Sequence, residues 1–258
     1  MKFYKNLKLR TNDPIDAGKQ IREALKEYKV VTLTPEWYIN DLREFYDIVT
    51  EQIGEVNKIR EDFKKGGVDT GEKWMEIQYD HDIPDMAAFR HSKNAQPLHT
   101  DEAYRFTGGV RFFYCVNVAE EGGETTFVDG PVLVDYLKSY DEEFFNELTT
   151  ERIKYSKADK SRTEKIIDIN SDGDIKFNFN YFCIDKDETE EHKKLNQRFH
   201  DFLQNQVANS YMMKKILLKP GEGLAWWDRP VLHGRNSYKA SKTNDRLIWK
   251  TGVKWSES

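Results

Sequence analysis

The segment Val110-Arg111-Phe112-Phe113-Tyr114-Cys115-Val116-Asn117-Val118 alternates two sets of side chains, and both sets are rich in apolar or aromatic groups. Val110, Phe112, Tyr114, Val116 and Val118 face one way, and Arg111, Phe113, Cys115 and Asn117 face the other. A strand patterned like this is buried on both sides. Further strands are predicted on its C-terminal side at Met213–Lys219, Gly223–Trp227 and Asp245–Val253, with a hairpin at Lys165–Ile169 and Ile175–Phe179 around Ser171-Asp172-Gly173-Asp174. On its N-terminal side the pattern is mixed. Asp13-Pro14 caps a helix with Ala17, Ile21, Ala24, Leu25 and Tyr28 on one face, and Val30–Leu33 is a short strand. Thr34-Pro35-Glu36 is read as the cap of a second helix running through Tyr38, Leu42, Phe45, Val49 and Ile53 to Gly54. Lys58–Lys73 reads as an irregular loop, and a late helix carries Leu195, Phe199, Phe202, Leu203 and Gln206. Its approach, Asp185–Glu191, is read as a solvated charge run. The fold class is therefore mainly β with flanking helices (α+β), a double sheet or barrel with helices mainly at one end.

Composition bounds the rest. Hydrophobic residues at 38% and aromatics at 13% fill a sizeable core, and no linker or repeat divides the 258 residues, so residues 1–258 are expected to form a single domain. A net charge of −5 supplies no basic field for a phosphate backbone, which argues against nucleic acid as a partner. No run approaches the roughly 20 apolar residues of a membrane span, and no signal sequence precedes the first charged stretch. Cys115 and Cys183 sit in apolar runs and are read as two reduced, buried thiols, in keeping with a cytoplasmic protein.

Among six histidines, one is followed two positions later by a carboxylate: His99-Thr100-Asp101. Residues i and i+2 of an extended segment point to the same side, so this imidazole and this carboxylate can meet one metal ion. Two histidines and one carboxylate leave three octahedral positions free, the ligand set of non-haem Fe(II) oxygenases. His233 is the candidate third ligand, in a segment where apolar residues end at a polar, Gly-containing turn. Read alone it is more readily a satisfied core histidine. Arg246, inside an otherwise apolar strand, needs an acid partner because an unpaired buried charge costs several kcal/mol, and a bidentate carboxylate ligand would supply one.

Pro97-Leu98-His99-Thr100-Asp101, Gly122-Gly123-Glu124-Thr125, Val231-Leu232-His233-Gly234-Arg235 and Asp245-Arg246, in that order, resemble the signature of Fe(II)/2-oxoglutarate oxygenases of the taurine dioxygenase and clavaminate synthase-like group. The resemblance implies that His99, Asp101 and His233 bind Fe(II). It implies that Arg246 grips the distal carboxylate of 2-oxoglutarate with help from Thr125, or from the adjacent Thr126. It also implies a double-stranded β-helix (jelly-roll) barrel and an O2-dependent enzyme that hydroxylates a C–H bond, with succinate and CO2 as co-products. Trp227-Asp228-Arg229 departs from the Trp-Asp-Asn-Arg element often found before the second histidine, which bears on the loop and not on the ligand. The carboxylate at Asp101 argues against halogenation; desaturation uses the same cofactor chemistry.

The substrate is expected to be a small polar molecule, an amino acid or derivative, because Glu102 beside the metal ligands would pair an amine and Arg90, Arg111 or Arg235 an acid. Arg105, Gln96, Tyr79 and Tyr104 are further pocket candidates. A sulfonate or phosphonate would satisfy the arginines but not Glu102. The competing class is a non-catalytic metal- or ligand-binding jelly-roll protein, and metal-assisted hydrolysis is a third; neither requires Arg246. His81 and His91 read as surface or loop residues, and His192 and His200 lack a nearby carboxylate pattern suggestive of metal. Oligomeric state is not encoded legibly.

Overall fold

A computed structural model describes residues 1–58, 71–83, 89–106, 109–243 and 245–256 of the chain. Most of the loop expected over Lys58–Lys73 lies outside the described residues. The strand built on Val110–Val118 is β6 (Gly109–Asn117), at the centre of a seven-stranded sheet. The others are β1 (Lys2–Leu9), β2 (Tyr28–Pro35), β3 (Glu55–Val56), β4 (Met75–Ile77), β13 (Gly223–Trp227) and β15 (Leu247–Lys254). The main path runs β1-β2-β13-β6-β15-β3, with β4 paired to β15. A second, four-stranded sheet has the order β12 (Lys214–Ile216), β7 (Thr125–Asp129), β14 (Val231–Arg235), β5 (Gln96–His99).

The two faces of β6 explain the layering. Val110, Phe112 and Tyr114 pack with Ala17, Ile21 and Leu25 of α1 (Pro14–Glu27) and with Phe45, Tyr46, Val49 and Ile53 of α2 (Leu42–Ile53). Phe113 and Cys115 face the smaller sheet, where Phe127, Ile216 and Val231 join Trp226 and Ile248 in one cluster. Rings cross that gap directly, Phe127 against Trp226 at 5.5 Å. The outer face of the small sheet, through Leu98, Val128 and Leu232, is covered by a third cluster. This includes α3 (Gly130–Tyr140), α4 (Glu142–Thr150) and α5 (Glu190–Phe202), and two hairpins, β8 (Arg152–Lys157) with β9 (Lys160–Lys165) and β10 (Ile167–Ile169) with β11 (Ile175–Phe177). The molecule is mainly β, and its helices lie on two outer faces instead of at one end.

Several boundaries depart from the sequence reading. Thr34 and Pro35 do not cap α2; they extend β2 in register with Lys8 and Leu9 of β1. The cap is Asp41, whose carboxylate accepts from the Glu44 N–H at 2.9 Å, while Tyr38 stays exposed. β1, α3 and α4 have no counterpart in that reading. The Asp185–Glu191 run is only partly solvated, since Asp185 is buried and pairs Lys154 at 3.2 Å. His233 lies within β14, the turn falling before it at Asp228–Pro230. Both cysteines are buried and free. No helix among the described residues is long and apolar enough to cross a membrane.

Candidate metal and carboxylate site

The edge strand β5 pairs His99 with His233 and Gln96 with Arg235 of β14, so three steps on one strand match two on the other. The extra residue is a bulge at Pro97-Leu98, where a proline costs no ladder hydrogen bond, and it turns His99 into the space between the sheets. Thr100 points the opposite way and is fixed by Phe179, whose carbonyl accepts from the Thr100 N–H at 2.7 Å. His99 and Asp101 therefore face inward together, as their spacing predicts. His233 lies on the inner face of β14 beside Trp226, its ring 4.3 Å from that of His99. One donor atom from each of His99, Asp101 and His233 lies within 4.8 Å of the others.

The tautomers suit a cation. Nδ1 of His99 donates to the Pro97 carbonyl at 2.9 Å, which leaves Nε2 with a lone pair facing the cluster. Gln96 donates its amide N–H to that Nε2 at 3.0 Å and must turn away when an ion binds there. Nδ1 of His233 faces the Asp228 carboxylate at 3.5 Å, and Nε2 faces Asp101 at 3.8 Å. Burial, with the nearby positive groups, holds His233 well below the usual imidazole range, so it is neutral and available as a ligand. Burial alone would raise the Asp101 pKa, but Lys250, His99, His233 and Arg111 together hold it well below the usual carboxylate range.

A charge network not anticipated from sequence supports these groups. Asp228 is fully buried; it accepts the backbone N–H groups of Asp101 at 3.1 Å and Glu102 at 2.9 Å, and so orients the ligand turn. Burial, added to its acidic neighbours and against Arg111, pushes its pKa up to about 6. Arg111 reaches Asp101 and Glu102 at 3.1 Å and Asp228 at 3.7 Å. Lys250 joins Asp101 at 2.5 Å. Ile248 and Lys250 share one face of β15, and Arg246 precedes them by the same two-residue step just ahead of the strand, the signal from which Lys250 is recoverable.

Several substrate candidates have other work. Glu102 does not present its charge to an amine: it is wholly buried, bonded to Arg111 and to the Gly109 N–H. Arg111 is likewise committed to three carboxylates. Arg235 donates to the carbonyls of Phe89, Ser92 and Asn94, which makes it a clamp on that loop. Tyr104 is buried in the outer core under Arg105 and Lys157. Arg90 lies on the short turn Phe89–His91, and Tyr79 packs edge-on against His81. His91 is buried, bonded to the Gln78 carbonyl, and His81 joins Asp245. His192 does have carboxylate partners, Glu188 and Glu151.

Arg246 supplies the test of fit for an organic anion. It is 3% exposed; its Nε donates to the Gly123 carbonyl at 3.2 Å, while Nη1 has no partner among the described residues. A Cβ on Gly123 would stand 2.9 Å from Arg246 Cδ, so glycine makes room for the arginine stem. A buried guanidinium lacking an acid is what a dicarboxylate ligand would satisfy. Thr125, paired in register with Arg235, shares the inner face with His233, whereas Thr126 lies on the face of Gly234, with its Oγ1 3.1 Å from where a Gly234 Cβ would stand.

The chain matches the family described as "Taurine catabolism dioxygenase TauD, TfdA family" over residues 3–251. No curated protein sequence matches it. Among solved structures it is similar to a taurine dioxygenase from Burkholderia xenovorans (15% identity, TM-score 0.67, 99% of this chain and 87% of that one). It is also similar to an asparagine oxygenase in complex with Fe(II), 2S,3S-3-hydroxyasparagine and succinate (10%, 0.70, 96% and 93%). A third is the non-haem iron oxygenase OrfP in complex with Fe and alpha-ketoglutaric acid (11%, 0.68, 97% and 94%). At these identities the likeness is one of fold.

Proposed function

Because the chain belongs to the TauD, TfdA family of Fe(II)- and 2-oxoglutarate-dependent dioxygenases, we propose that His99, Asp101 and His233 hold the iron and that Arg246 and Thr125 hold 2-oxoglutarate. The reaction is hydroxylation of a C–H bond in a small acid, an amino acid or derivative. The observation that carries the reading is the convergence of two imidazoles and one carboxylate beside a buried arginine that lacks an acid among the described residues. We read the two facing sheets as a double-stranded β-helix and residues 1–258 as one domain.

Ferrous iron bound there supplies the activation of O2 that couples decarboxylation of the keto acid, to succinate and CO2, with oxidation of the substrate. The chain's own residues do the rest. His99 and His233 bind through Nε2; the Nδ1–H of His99 is held by the Pro97 carbonyl, and Nδ1 of His233 faces the Asp228 carboxylate. Asp101 keeps one oxygen for the metal because Arg111 draws on Oδ2. Asp228 fixes the turn that carries Asp101. Arg246 and Thr125 position the keto acid from the far end.

Lys250 is the residue we assign to the substrate acid. Its side chain keeps 20% of its surface exposed against 4% for Arg111, and Arg111 already answers Asp101 once the metal takes up the carboxylate. An amino-acid carboxylate, as in the hydroxyasparagine complex of the related oxygenase, suits it. A sulfonate or phosphonate would meet the same ammonium, and the assay separates them. Under air, with Fe(II) and 2-oxoglutarate, succinate formation is measured across a panel of amino acids, sulfonates and phosphonates. Turnover that requires iron and is abolished in Asp101→Ala and His233→Ala supports the assignment; activity retained in both contradicts it.

A further inference from the structure

The segment after β14 brings Tyr238 against Gly122 and Gly123, where the Tyr238 N–H donates to the Lys93 carbonyl at 3.0 Å. Its ring lies near two guanidiniums, its centroid 5.2 Å from Arg235 and 5.7 Å from Arg246. All three side chains are at least nine-tenths buried. Each has a polar atom with no hydrogen-bond partner among the described residues: the Tyr238 hydroxyl, Arg246 Nη1 and Arg235 Nε. Buried donors are almost always paired, so three orphans around one ring mark a place built for an acceptor. The acceptor must be anionic, since two cations face each other here, and the acid closest in sequence, Asp245, is bonded to His81 and the Ser241 N–H.

We infer that Tyr238 is a binding residue for 2-oxoglutarate, its hydroxyl donating to the distal carboxylate that Arg246 pairs. This rests on the function proposed above. A carboxylate has about four acceptor positions, more than one guanidinium fills, so a phenol beside the arginine adds a donor without competing for its place. Burial pushes the Tyr238 hydroxyl up, which keeps the proton to be donated. Arg235, held by its three carbonyl bonds, contributes fixed positive charge beside the same ring.

The test is an anaerobic titration of the Fe(II) protein, following the metal-to-ligand absorption band, in the parent and in Tyr238→Phe. Two probes are used: 2-oxoglutarate, and 2-oxobutyrate, which offers the same chelating end but no distal carboxylate. A hydrogen bond to a charged group is worth enough to weaken 2-oxoglutarate binding about tenfold or more, with 2-oxobutyrate unchanged. Removing an oxygen that has no partner should leave the thermal midpoint of the metal-free protein the same or raise it. Equal 2-oxoglutarate affinity in the two proteins overturns the inference, and so does an equal loss for both probes, which would mean a general distortion. A parent that develops no band with 2-oxoglutarate would instead remove the function on which the inference stands.

Discussion

Asp228 shows how a residue outside the proposed ligand set would control it. Its two carboxylate oxygens each take a backbone N–H, from Asp101 and Glu102, and one of them faces the His233 imidazole. An amide of the same shape has only one acceptor oxygen and would turn an NH2 group toward the other N–H. Asp228→Asn should therefore fold but bind Mn(II) or Fe(II) about 10- to 100-fold more weakly, the range found for groups that orient metal ligands. Calorimetric metal titration beside an unfolding curve checks both halves; unchanged affinity would show that the turn holds Asp101 without Asp228. The three proposed ligands are legible because His-x-Asp in an extended segment is a chemical pattern, and Arg246 because a charge interrupts an apolar run. Asp228, Glu102 and Tyr238 were not, because their roles depend on pairing across the fold. The register of β13 against β6 is what brings the strand of Arg111 beside the segment ending at Asp228.

At the level of elements, α1 crosses α2 at a glycine. A Cβ on Gly18 would stand 2.5 Å from Gln52 Cβ and 2.7 Å from the Val49 carbonyl, and backbone cannot yield cheaply. Alanine gains about 1 kcal/mol of helix propensity but overpacks the crossing by about 1–3 kcal/mol. Gly18→Ala should lower stability by about 1 kcal/mol in urea unfolding; a more stable variant would mean that the helices separate freely. The late helix α5 carries two histidines of opposite behaviour. Burial works against protonated His192, but its bonds to Glu188 and Glu151 outweigh burial and raise its pKa, whereas burial lowers that of His200, stacked on Tyr181. A raised histidine contributes stability that is fully present below its unfolded pKa and is lost as pH rises through the folded one. His192→Gln should therefore be less stable than the parent at about pH 5.5, by no more than about 1 kcal/mol for so exposed a pair, and equal to it at about pH 9. A deficit independent of pH would assign the loss to packing. Elements with a one-sided or two-sided apolar pattern, α1 and β6 among them, were readable in the sequence. β1 was not, because Lys2, Lys5 and Lys8 mask an edge strand whose partner, β2, lies across α1. The start of α2 was misread because Thr34-Pro35 carries a cap signal that parallel pairing overrides.

For the molecule as a whole, the position of the site between the sheets means that ligands fasten two layers together. His99, Asp101 and His233 belong to β5, the turn after it and β14 of the smaller sheet; Arg111, Lys250 and Arg246 come from β6 and β15 or its approach in the larger one. Asp101, Glu102 and Asp228 meet Arg111 and Lys250 across the gap, three acids to two bases, while Arg246 and Arg235 stand near each other with donors that no acid among the described residues takes. A metal would add positive charge beside three carboxylates that Arg111 and Lys250 only partly neutralise, and a keto acid would add negative charge beside the arginines, so their stabilisation should appear in two steps. A ligand at about 100 times its dissociation constant adds about 2.7 kcal/mol, or about 5–10 °C in a chain of this size. Under argon, Mn(II) alone should raise the thermal midpoint, and 2-oxoglutarate should raise it again only when the metal is present. In Arg246→Ala the first step should survive and the second should shrink by most of its size, because the metal ligands remain and the buried cation that receives the distal carboxylate is gone. A second step of parental size in that variant would mean that 2-oxoglutarate is held by its chelating end alone, and the large sheet would then have no part in binding it.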